Sequence, residues 1–373
     1  MIRGITVIDK KTKKLLERVK KNEIAIISHK DLDYLASKSL IEKKVKAVVN
    51  ISSSMSGKYP NKGPLLLLEA GIPLIDVDIG ELFSQIKDGD KIEIDDSYIY
   101  KEMNIIASIH QVTHAEINGK LKEAEKNLQK ELINFIDNTL LYARKEKKLI
   151  INLEAPDIGI DFTGKHVLIV VRGSNYKDDL QAIDSYVREM NPIIIAVDGG
   201  ADACLEFGYC PDIIVGDMDS VSDKALYMCK KLIIHAYPNG FAPGLNRVKK
   251  LALDYILYPA PGTSEDIAMI IAYEKGAELI AAVGTHSNMI DFFDKGRSGM
   301  ASTFLVRLKL GHKLIDAKGI SKLYGNKVNY RYSLPFFLAV LLPLIYIFFL
   351  SPPLKQILQL LALRIRLLFT FFF

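Results

Sequence analysis

The chain has 373 residues and a formal net charge of +5, from 49 basic and 44 acidic side chains. This length is sufficient for two domains that each bury a core, and so small a charge does not indicate a nucleic acid partner. The three cysteines lack CxxC spacing and indicate reduced core residues, and the seven histidines show no zinc-ligand spacing. Residues 1–22 are basic and polar, lack the apolar run of a signal peptide, and are predicted to form a short helix and an arm.

Residues 1–115 are predicted to form an α/β domain. Apolar runs predict strands at 24–28, 45–51 and 72–77. Helices are expected between them, one at 32–41 with Asp31 as its N-cap and one at 65–70 that ends at Gly71.

Residues 71–95, GIPLIDVDIGELFSQIKDGDKIEID, resemble the swivelling domain of phosphoenolpyruvate-utilising enzymes, which implies a swivelling-like β/β/α fold for this domain. In that family a Gly-Ser-rich loop carries a phosphorylated His. The corresponding loop here, residues 52–64, has no His, so phosphoryl transfer on this domain is not expected. The serines, Lys58 and Tyr59 of the loop suit an anion or a protein partner, and packing of the loop on the second domain is the alternative.

Residues 116–148 predict one long amphipathic helix, because apolar residues recur at steps of three and four from Ile117 to Ala143. The basic residues at 144–148 are favourable at a helix C-terminus. Two roles stay open for this helix: it packs between the domains, or it forms the contact of a homodimer.

Residues 149–330 predict a second α/β domain with a doubly wound, mostly parallel sheet, because apolar strands alternate with helices. Several of these strands end in glycine and acidic residues. Carboxylates suit Mg²⁺, and glycine lets backbone N–H groups approach a phosphate closely. The candidate metal ligands are Asp217, Asp219 and Asp266. The candidate phosphate-binding residues are Asp198, Gly199, Gly200, Ser220, Gly173, Ser174, Thr263, Ser264 and Arg297.

The C-terminal part of the chain is apolar. Residues 334–350 carry no charge and follow a basic segment, which predicts a transmembrane helix with the large domains in the cytoplasm. A second apolar segment, 357–373, contains Arg364 and Arg366, and it either spans the bilayer or lies in its interface.

The segment DGGADACLEFGYCPDIIVGDMDS, residues 198–220, resembles the nucleotide-binding core of the thiamine pyrophosphokinase family, and residues 263–266 match the Thr-Asp motif of that family. A larger part of the chain is similar to the SteA-type cytokinetic-ring proteins of bacteria. That similarity lies in PGTSEDIAM at 261–269, AVGTHSN at 282–288, DKGRSGMASTFLVRLKLG at 294–311 and DAKGISKLY at 316–324.

The first resemblance implies Mg²⁺ and a nucleotide, ATP or GTP, near the four aspartates, and the transfer of a diphosphate from ATP to an alcohol. Three departures weigh against thiamine as the acceptor. Residues 284–288 replace the family's Gly-Gly-Arg-x-Asp-His segment, and Met269 replaces a Lys. The short stretch between Gly311 and Leu334 leaves no room for the family's C-terminal β-sandwich. His286 is either a substitute base or a structural residue.

Together these features predict a membrane-anchored cytoplasmic protein of bacterial cell division or envelope assembly, enriched at the septum, that binds a Mg-nucleotide or a related diphosphate. The SteA resemblance implies a SteB-type membrane partner and other division proteins. The alternative is an active diphosphotransferase, similar to thiamine diphosphokinase, with an unknown acceptor. A scaffold with an inactive pocket is a third hypothesis.

Overall fold

The structure, a computed structural model, describes residues 1–77, 82–323 and 330–372 of the chain. The chain divides into two compact units, Met1–Leu323 and Tyr324–Phe373. Within the described residues the first unit contains two β-sheets, one before and one after a long helix.

The first sheet has eight strands in the described part of the chain. They are β1 (Ile2–Asp9), β2 (Ile24–Ile27), β3 (Ala47–Asn50), β4 (Leu74–Asp76), β5 (Lys91–Ile94), β6 (Tyr98–Lys101), β7 (Asn104–Ser108) and β8 (His110–Gln111). The helices among them are α1 (Thr12–Arg18), α2 (Tyr34–Glu42), α3 (Gly63–Glu69) and α4 (Leu82–Gln85). The order is β7-β6-β5-β1-β2-β3-β4-β8, with β1 to β4 parallel and the other pairings antiparallel.

The predicted strands and helices of this domain are found, with two corrections. The short helix predicted within residues 1–22 is α1, but residues 2–9, predicted as an arm, form β1, because they pair with β2 on one side and β5 on the other. The N-cap of α2 is Asp33, whose carboxylate accepts a hydrogen bond from the Ala36 amide at 2.7 Å. Asp31 instead accepts from the amide of Ser56 at 2.6 Å and thereby orders the loop 52–64.

The long helix is α5 (His114–Ile151), and the prediction of one continuous helix is confirmed. Thr113 caps its start by accepting a hydrogen bond from the amide of Glu116. The helix continues eight residues beyond Ala143, and Phe135, Thr139 and Ala143 are buried on one side of it.

The second sheet has seven strands in the described residues, and every pairing between neighbours is parallel. They are β9 (His166–Val171), β10 (Ile193–Val197), β11 (Ile213–Gly216), β12 (Lys231–Ala236), β13 (Ile256–Pro259), β14 (Leu279–Val283) and β15 (Leu314–Asp316). The helices are α6 (Tyr176–Ala182), α7 (Asp184–Met190), α8 (Gly200–Glu206), α9 (Asp223–Met228), α10 (Leu245–Lys250), α11 (Ser264–Glu274), α12 (Met289–Asp294) and α13 (Ala301–Leu310). The order β13-β12-β11-β10-β9-β14-β15 reverses direction at β9, which confirms the doubly wound prediction.

The core lies on both faces of this second sheet. Along β9, Ile169 and Val171 belong to the apolar cluster on one face, and Leu168 and Val170 belong to the cluster on the other. A strand that is buried on both faces has a continuous apolar sequence. The sequence HVLIVV of β9 therefore predicts a buried strand.

The loop 52–64 of the first sheet packs on the second domain. The ring of Tyr59 lies 5.2 Å from that of Phe293, and Phe135 of α5 lies 5.4 Å from Phe293. This confirms the alternative that the loop is a packed, structured element.

The second unit contains α14 (Tyr330–Leu350) and α15 (Pro352–Phe372). Neither these nor any other helix in the described part of the chain combines the length and apolar character that a membrane crossing requires. The predicted transmembrane helix at 334–350 is therefore wrong, as is the spanning alternative for the second apolar segment. The uncharged run is at the lower length limit for a span, and α14 contains Pro335 and Pro343, which remove backbone hydrogen bonds.

Candidate functional site

The predicted site residues lie at the carboxyl edge of the second sheet. Gly173 follows β9, Asp198 follows β10 and Asp217 follows β11. The loops after β9 and β14 touch, since a Cβ built on Gly173 would lie 1.9 Å from the carbonyl oxygen of Gly284. This contact marks the point where the strand order reverses, which is where open parallel sheets bind ligands.

The structure brings Asp198 and Asp217 together. The backbone N–H of Asp217 donates to Asp198 Oδ1 at 2.9 Å, and Asp198 has a left-handed backbone with φ of 46°. A Cβ built on Gly216 would lie 1.8 Å from Asp198 Oδ1, so only glycine leaves space for this carboxyl group. The two carboxylates are thus held side by side by the ends of neighbouring strands.

Their closeness has an electrostatic consequence. Burial and the nearby charge of Asp217 raise the pKa of Asp198 to about 7. The positive charge of Lys13, on α1 of the first domain, opposes this rise in pKa. Lys13 is therefore within electrostatic reach of Asp198, but its charge does not offset the combined effect of burial and Asp217 on this pKa.

Asp219 and Ser220 complete the loop after β11. The amide of Asp219 donates to Asp217 Oδ1 at 3.0 Å, and the residue itself is exposed. Ser220 Oγ is buried and has no hydrogen-bond partner among the described residues. It lies 3.8 Å from the position of a Cβ built on Gly199, so it faces the loop that follows β10.

Asp266 lies in a different environment from the Asp198–Asp217 pair. It is 1% exposed, and its Oδ2 accepts hydrogen bonds from Ser302 Oγ at 2.7 Å, Thr303 Oγ1 at 3.1 Å and the amide of Thr263 at 3.2 Å. Thr263 Oγ1 in turn accepts from the amide of Asp266, which forms a capping box at the start of α11.

The second oxygen of this carboxyl group is unsatisfied. Asp266 Oδ1 is buried and has no partner among the described residues, and burial raises the pKa of the side chain. Buried polar atoms are nearly always hydrogen-bonded, so this oxygen keeps an unused capacity to accept a hydrogen bond.

His235 is a residue that the sequence analysis missed. Its Nε2–H donates to the carbonyl of Ala260 at 2.9 Å, which leaves Nδ1 to accept from Ser264 Oγ at 3.1 Å. Burial lowers the pKa of His235, while the charges of Asp266 and Asp217 act in the opposite direction. The imidazole thus lies within electrostatic reach of both aspartates, and no local motif around His235 reveals this.

Glu265 forms a buried ionic cluster beside the site. Its carboxylate accepts from the amide of His286 at 3.0 Å, from His286 Nδ1 at 2.7 Å and from Lys295 Nζ at 2.7 Å. Burial opposes ionisation, but the charge of Lys295 and the His286 hydrogen bond outweigh it and hold the pKa of Glu265 well below its usual range. His286 is 8% exposed, so its side chain is structural rather than a free base.

Three predicted site residues remain to be placed: Gly200, Ser174 and Arg297. Gly200 begins α8 so close to β9 that a Cβ on it would lie 2.1 Å from the carbonyl oxygen of Val170. Ser174 lies in the loop before α6, next to the exposed Arg172. Arg297 is exposed after α12, and its charge contributes to lowering the pKa of His235.

The described residues do not form a complete set of protein ligands for the predicted Mg²⁺. Within the described residues, no three His, Cys, Asp or Glu side chains lie close enough together to hold a metal ion. Mg²⁺ usually takes one or two protein carboxylates and completes its shell with water and substrate phosphates. The pair formed by Asp198 and Asp217 is compatible with that kind of site and not with an all-protein one.

A cavity of about 310 Å³ lies elsewhere, between α5, the loop 52–64 and the segment after α12. Lys58, Glu131 and Phe293 are among the residues that line it, and none of the predicted site residues does. The cavity and the acidic edge are therefore separate features.

Two family models match the chain. The catalytic domain of thiamin pyrophosphokinase matches residues 185–239, and the SteA-like C-terminal domain matches residues 318–369. Both resemblances seen in the sequence are thereby confirmed. The first match includes Asp198, Asp217 and Asp219 but ends before Asp266.

Solved structures add two weaker likenesses. Thiamine pyrophosphokinase from Bacillus subtilis is 23% identical with a TM-score of 0.26, over 40% of this chain and 60% of that enzyme. A 3-isopropylmalate dehydratase from Methanocaldococcus jannaschii is 14% identical with a TM-score of 0.22, over 35% of this chain and 98% of that one. At these scores neither likeness establishes a common fold. Among curated proteins no relative matches with significance.

Proposed function

We propose that this chain acts in bacterial cell division and binds a nucleotide or a related diphosphate, together with Mg²⁺, at the carboxyl edge of its second sheet. The SteA-like match at 318–369 supports the division role. The thiamin pyrophosphokinase match, which includes both members of the Asp198–Asp217 pair, supports the class of ligand.

The observation that carries the ligand proposal is the Asp198–Asp217 pair. Two carboxylates held side by side repel each other, and the pKa of Asp198 rises to about 7 because burial and Asp217 disfavour its charged form. A divalent cation would relieve this repulsion and present positive charge to a diphosphate. The pair is thus arranged for a cation that arrives with its phosphate ligand.

Other groups around the edge suit the phosphates. Arg172 and Lys13 bring positive charge, and the buried hydroxyl of Ser220 has a free hydrogen-bonding capacity among the described residues. The close backbone contact at Gly173 holds the loop after β9 against the loop after β14 at this edge.

Binding without turnover is the function favoured here. Met269, which stands where the kinase family has a Lys, is 1% exposed and belongs to an apolar cluster of the core. His286 is held by Glu265 and is not free to act as a base. An active diphosphotransferase would require groups that neither of these residues supplies, and it would release AMP when given an acceptor.

Thermal unfolding of the full chain with Mg²⁺ alone, with MgATP and with MgGTP tests the ligand proposal. A bound ligand raises the melting temperature by mass action, by an amount that grows with its concentration. We expect Asp217→Asn to abolish most of the rise. Asp254→Asn, an exposed position before β13 at the opposite edge of the sheet, is the matched control and should keep it. No rise with either nucleotide in the unmodified chain would refute nucleotide binding.

The division role is tested in cells. We expect a fluorescent fusion of the full chain to concentrate at the septum and to depend on a SteB-type partner for that placement. A fusion that stays evenly distributed through the cell cycle would contradict this part of the proposal and leave the ligand proposal intact.

A further inference from the structure

Two aromatic side chains on the loop that follows β12 lie mostly in solvent. Tyr237 is 58% exposed and Phe241 is 62% exposed. The centroids of their rings lie 6.2 Å apart, and the two ring planes are inclined by only 7°. Single exposed apolar residues are common on protein surfaces, but two rings held parallel form a flat apolar surface on which a third ring can stack. We call these two rings the aromatic platform.

The loop that carries the aromatic platform is held by its own hydrogen bonds. The amide of Tyr237 donates to the carbonyl of Phe241 at 2.9 Å, and the amide of Gly240 donates to the carbonyl of Tyr237 at 2.7 Å. Asn239 Oδ1 accepts from the amide of Phe241 at 3.1 Å. Gly240 has φ of 84°, a backbone conformation that glycine adopts without strain. The backbone beneath both rings is thus ordered without a ligand, which reduces the entropy that binding would cost.

The aromatic platform lies at the same carboxyl edge of the second sheet as the two paired aspartates. Tyr237 directly follows β12, which is the neighbour of β11. The loop then returns to the loop after β11. A Cβ built on Gly244 would lie 1.9 Å from the carbonyl oxygen of Asp217, and Arg247 Nη1 donates to the carbonyl of Met218 at 2.7 Å. The loop of the aromatic platform is therefore packed directly on the loop that carries Asp217.

The spacing across the sheet suits a single nucleotide. Asp198 follows β10 and Tyr237 follows β12, which is two positions away from β10 in the sheet. Neighbouring strands lie about 4.8 Å apart, so the ends of these two strands are separated by about 10 Å. A nucleotide spans such a distance, because its ribose lies between the base and the phosphates.

The chemistry of the aromatic platform matches a nucleobase better than a lipid surface. Every base has a flat π face, and aromatic side chains bind bases by stacking on that face. Binding to an anionic membrane takes a cluster of about four to eight basic residues. The exposed cations on the adjacent α10 are Lys249 and Lys250, whereas Arg247 is paired with Asp223. Two lysines are too few to recruit this loop to a membrane.

We propose that Tyr237 and Phe241 bind the base of the nucleotide by stacking, while the Asp198–Asp217 pair holds the phosphates through their cation. This inference rests on the proposed function and assigns the part of the ligand that the paired aspartates do not contact. Because stacking uses the face of a base and not its edge, adenine and guanine nucleotides both bind, and a triphosphate without a base binds more weakly. The thiamin pyrophosphokinase match ends at residue 239, so Phe241 lies beyond it.

Titration calorimetry of the full chain with MgATP, MgGTP and magnesium tripolyphosphate tests this assignment. We expect the double variant Tyr237→Ala/Phe241→Ala to bind both nucleotides about tenfold more weakly and to bind tripolyphosphate as the unmodified chain does. Tyr255→Ala removes an exposed aromatic ring just before β13, at the opposite edge of the sheet. This matched control should bind all three ligands unchanged. Both platform residues are more than half exposed, so the unfolding midpoint without ligand should stay the same.

A fluorescence measurement reports on the base directly. The chain contains no tryptophan, so Phe241→Trp introduces a single indole and keeps an aromatic face at this position. We expect this variant to bind MgATP about as tightly as the unmodified chain, and we expect MgATP to quench its indole emission. Magnesium tripolyphosphate has no base and should leave the emission unchanged.

Three results would overturn this inference and leave the proposed function in place. The unmodified chain binds tripolyphosphate as tightly as MgATP, or the double variant keeps its full affinity for both nucleotides. Alternatively, the chain binds vesicles containing phosphatidylserine through the two rings while its affinity for MgATP does not depend on them, which assigns the aromatic platform to a lipid surface. If the unmodified chain binds neither nucleotide nor tripolyphosphate, the proposed ligand is wrong and this inference fails with it.

Discussion

The hydroxyl of Tyr59 donates a hydrogen bond to Asp294 Oδ1 at 2.8 Å and so joins the loop 52–64 of the first domain to the end of α12 in the second. Tyr59 is 3% exposed, and its ring packs on Phe293. Burial raises the pKa of Asp294 to about 6, with further contributions from the charges of Asp33 and Asp291. This contact between the domains is therefore sensitive to pH.

The first prediction concerns that pH dependence. A carboxyl group with a pKa raised in the folded state contributes stability at low pH and loses it as pH rises through the folded value. The contribution of Asp294 should be present below about pH 4 and lost by about pH 6 to 7. Asp294→Asn keeps an acceptor for Tyr59 and removes the titration. We expect the variant to be more stable than the unmodified chain at pH 7.5 and similar to it at pH 4, as measured by urea unfolding. If the variant and the unmodified chain are equally stable at both pH values, ionisation of Asp294 does not destabilise the folded chain.

The second prediction applies the same reasoning to Asp198. Its pKa is raised to about 7, so its contribution to stability is lost as pH rises from about 4 to 8. Asp198→Asn keeps the oxygen that accepts from the Asp217 amide, and Asn tolerates the left-handed backbone at this position. In the absence of ligand, we expect the variant to gain stability at pH 8 and to lose part of the pH dependence.

Asp254→Asn, at the other edge of the sheet, is the control for this measurement and should follow the unmodified chain at every pH. If Asp198→Asn destabilises the ligand-free chain at pH 8, repulsion within the pair does not account for the raised pKa.

Most strands of the second sheet could be predicted from local patterns in the sequence. Its strands are buried on both faces, so each reads as an apolar run, and the glycine and aspartate that end β10 and β11 mark its carboxyl edge. The pairing of Asp198 with Asp217 follows from two neighbouring strands that end at the same level.

Other parts of the site depend on contacts between distant residues. The hydroxyls that hold Asp266 come from Ser302 and Thr303, 36 and 37 residues further along the chain. Lys13 approaches Asp198 only because the first domain packs near the second sheet. No periodicity or local motif contains that information, and for the same reason β1, whose partners are β2 and β5, was predicted as an arm.

The third prediction tests the ionic cluster around Glu265. This carboxylate is buried, and Glu265→Gln removes the charge that pairs with Lys295 and accepts from His286. We expect a loss of about 2–3 kcal/mol in the free energy of unfolding at pH 7, the size typical of a charged hydrogen bond. Because the pKa of Glu265 is lowered, the loss should shrink as pH falls below about 4.

Glu274→Gln provides the comparison for this measurement. Glu274 pairs with Lys309 at 2.6 Å, but its side chain is 30% exposed, so its removal should cost under about 1 kcal/mol. If the two variants lose the same amount of stability, burial does not strengthen the Glu265 cluster.

The fourth prediction concerns the contact between the loops that follow β9 and β14. A Cβ on Gly173 would lie 1.9 Å from the carbonyl oxygen of Gly284, and Gly284 itself has φ of 68°, which limits how its peptide can move. Gly173→Ala should therefore force the two loops apart and destabilise the chain by about 1–3 kcal/mol, as overpacking does elsewhere. The separation would also move the backbone amides before α6, so the rise in melting temperature with nucleotide should fall together with stability. Gly119→Ala is the control: it lies inside α5, and among the described residues no atom beyond its chain neighbours and the adjacent helix backbone lies within 4 Å of its Cβ position. That variant should gain about 0.5–1 kcal/mol from helix propensity and leave ligand binding unchanged. If urea unfolding shows that Gly173→Ala is as stable as the unmodified chain, the two loops are not in the close contact described here.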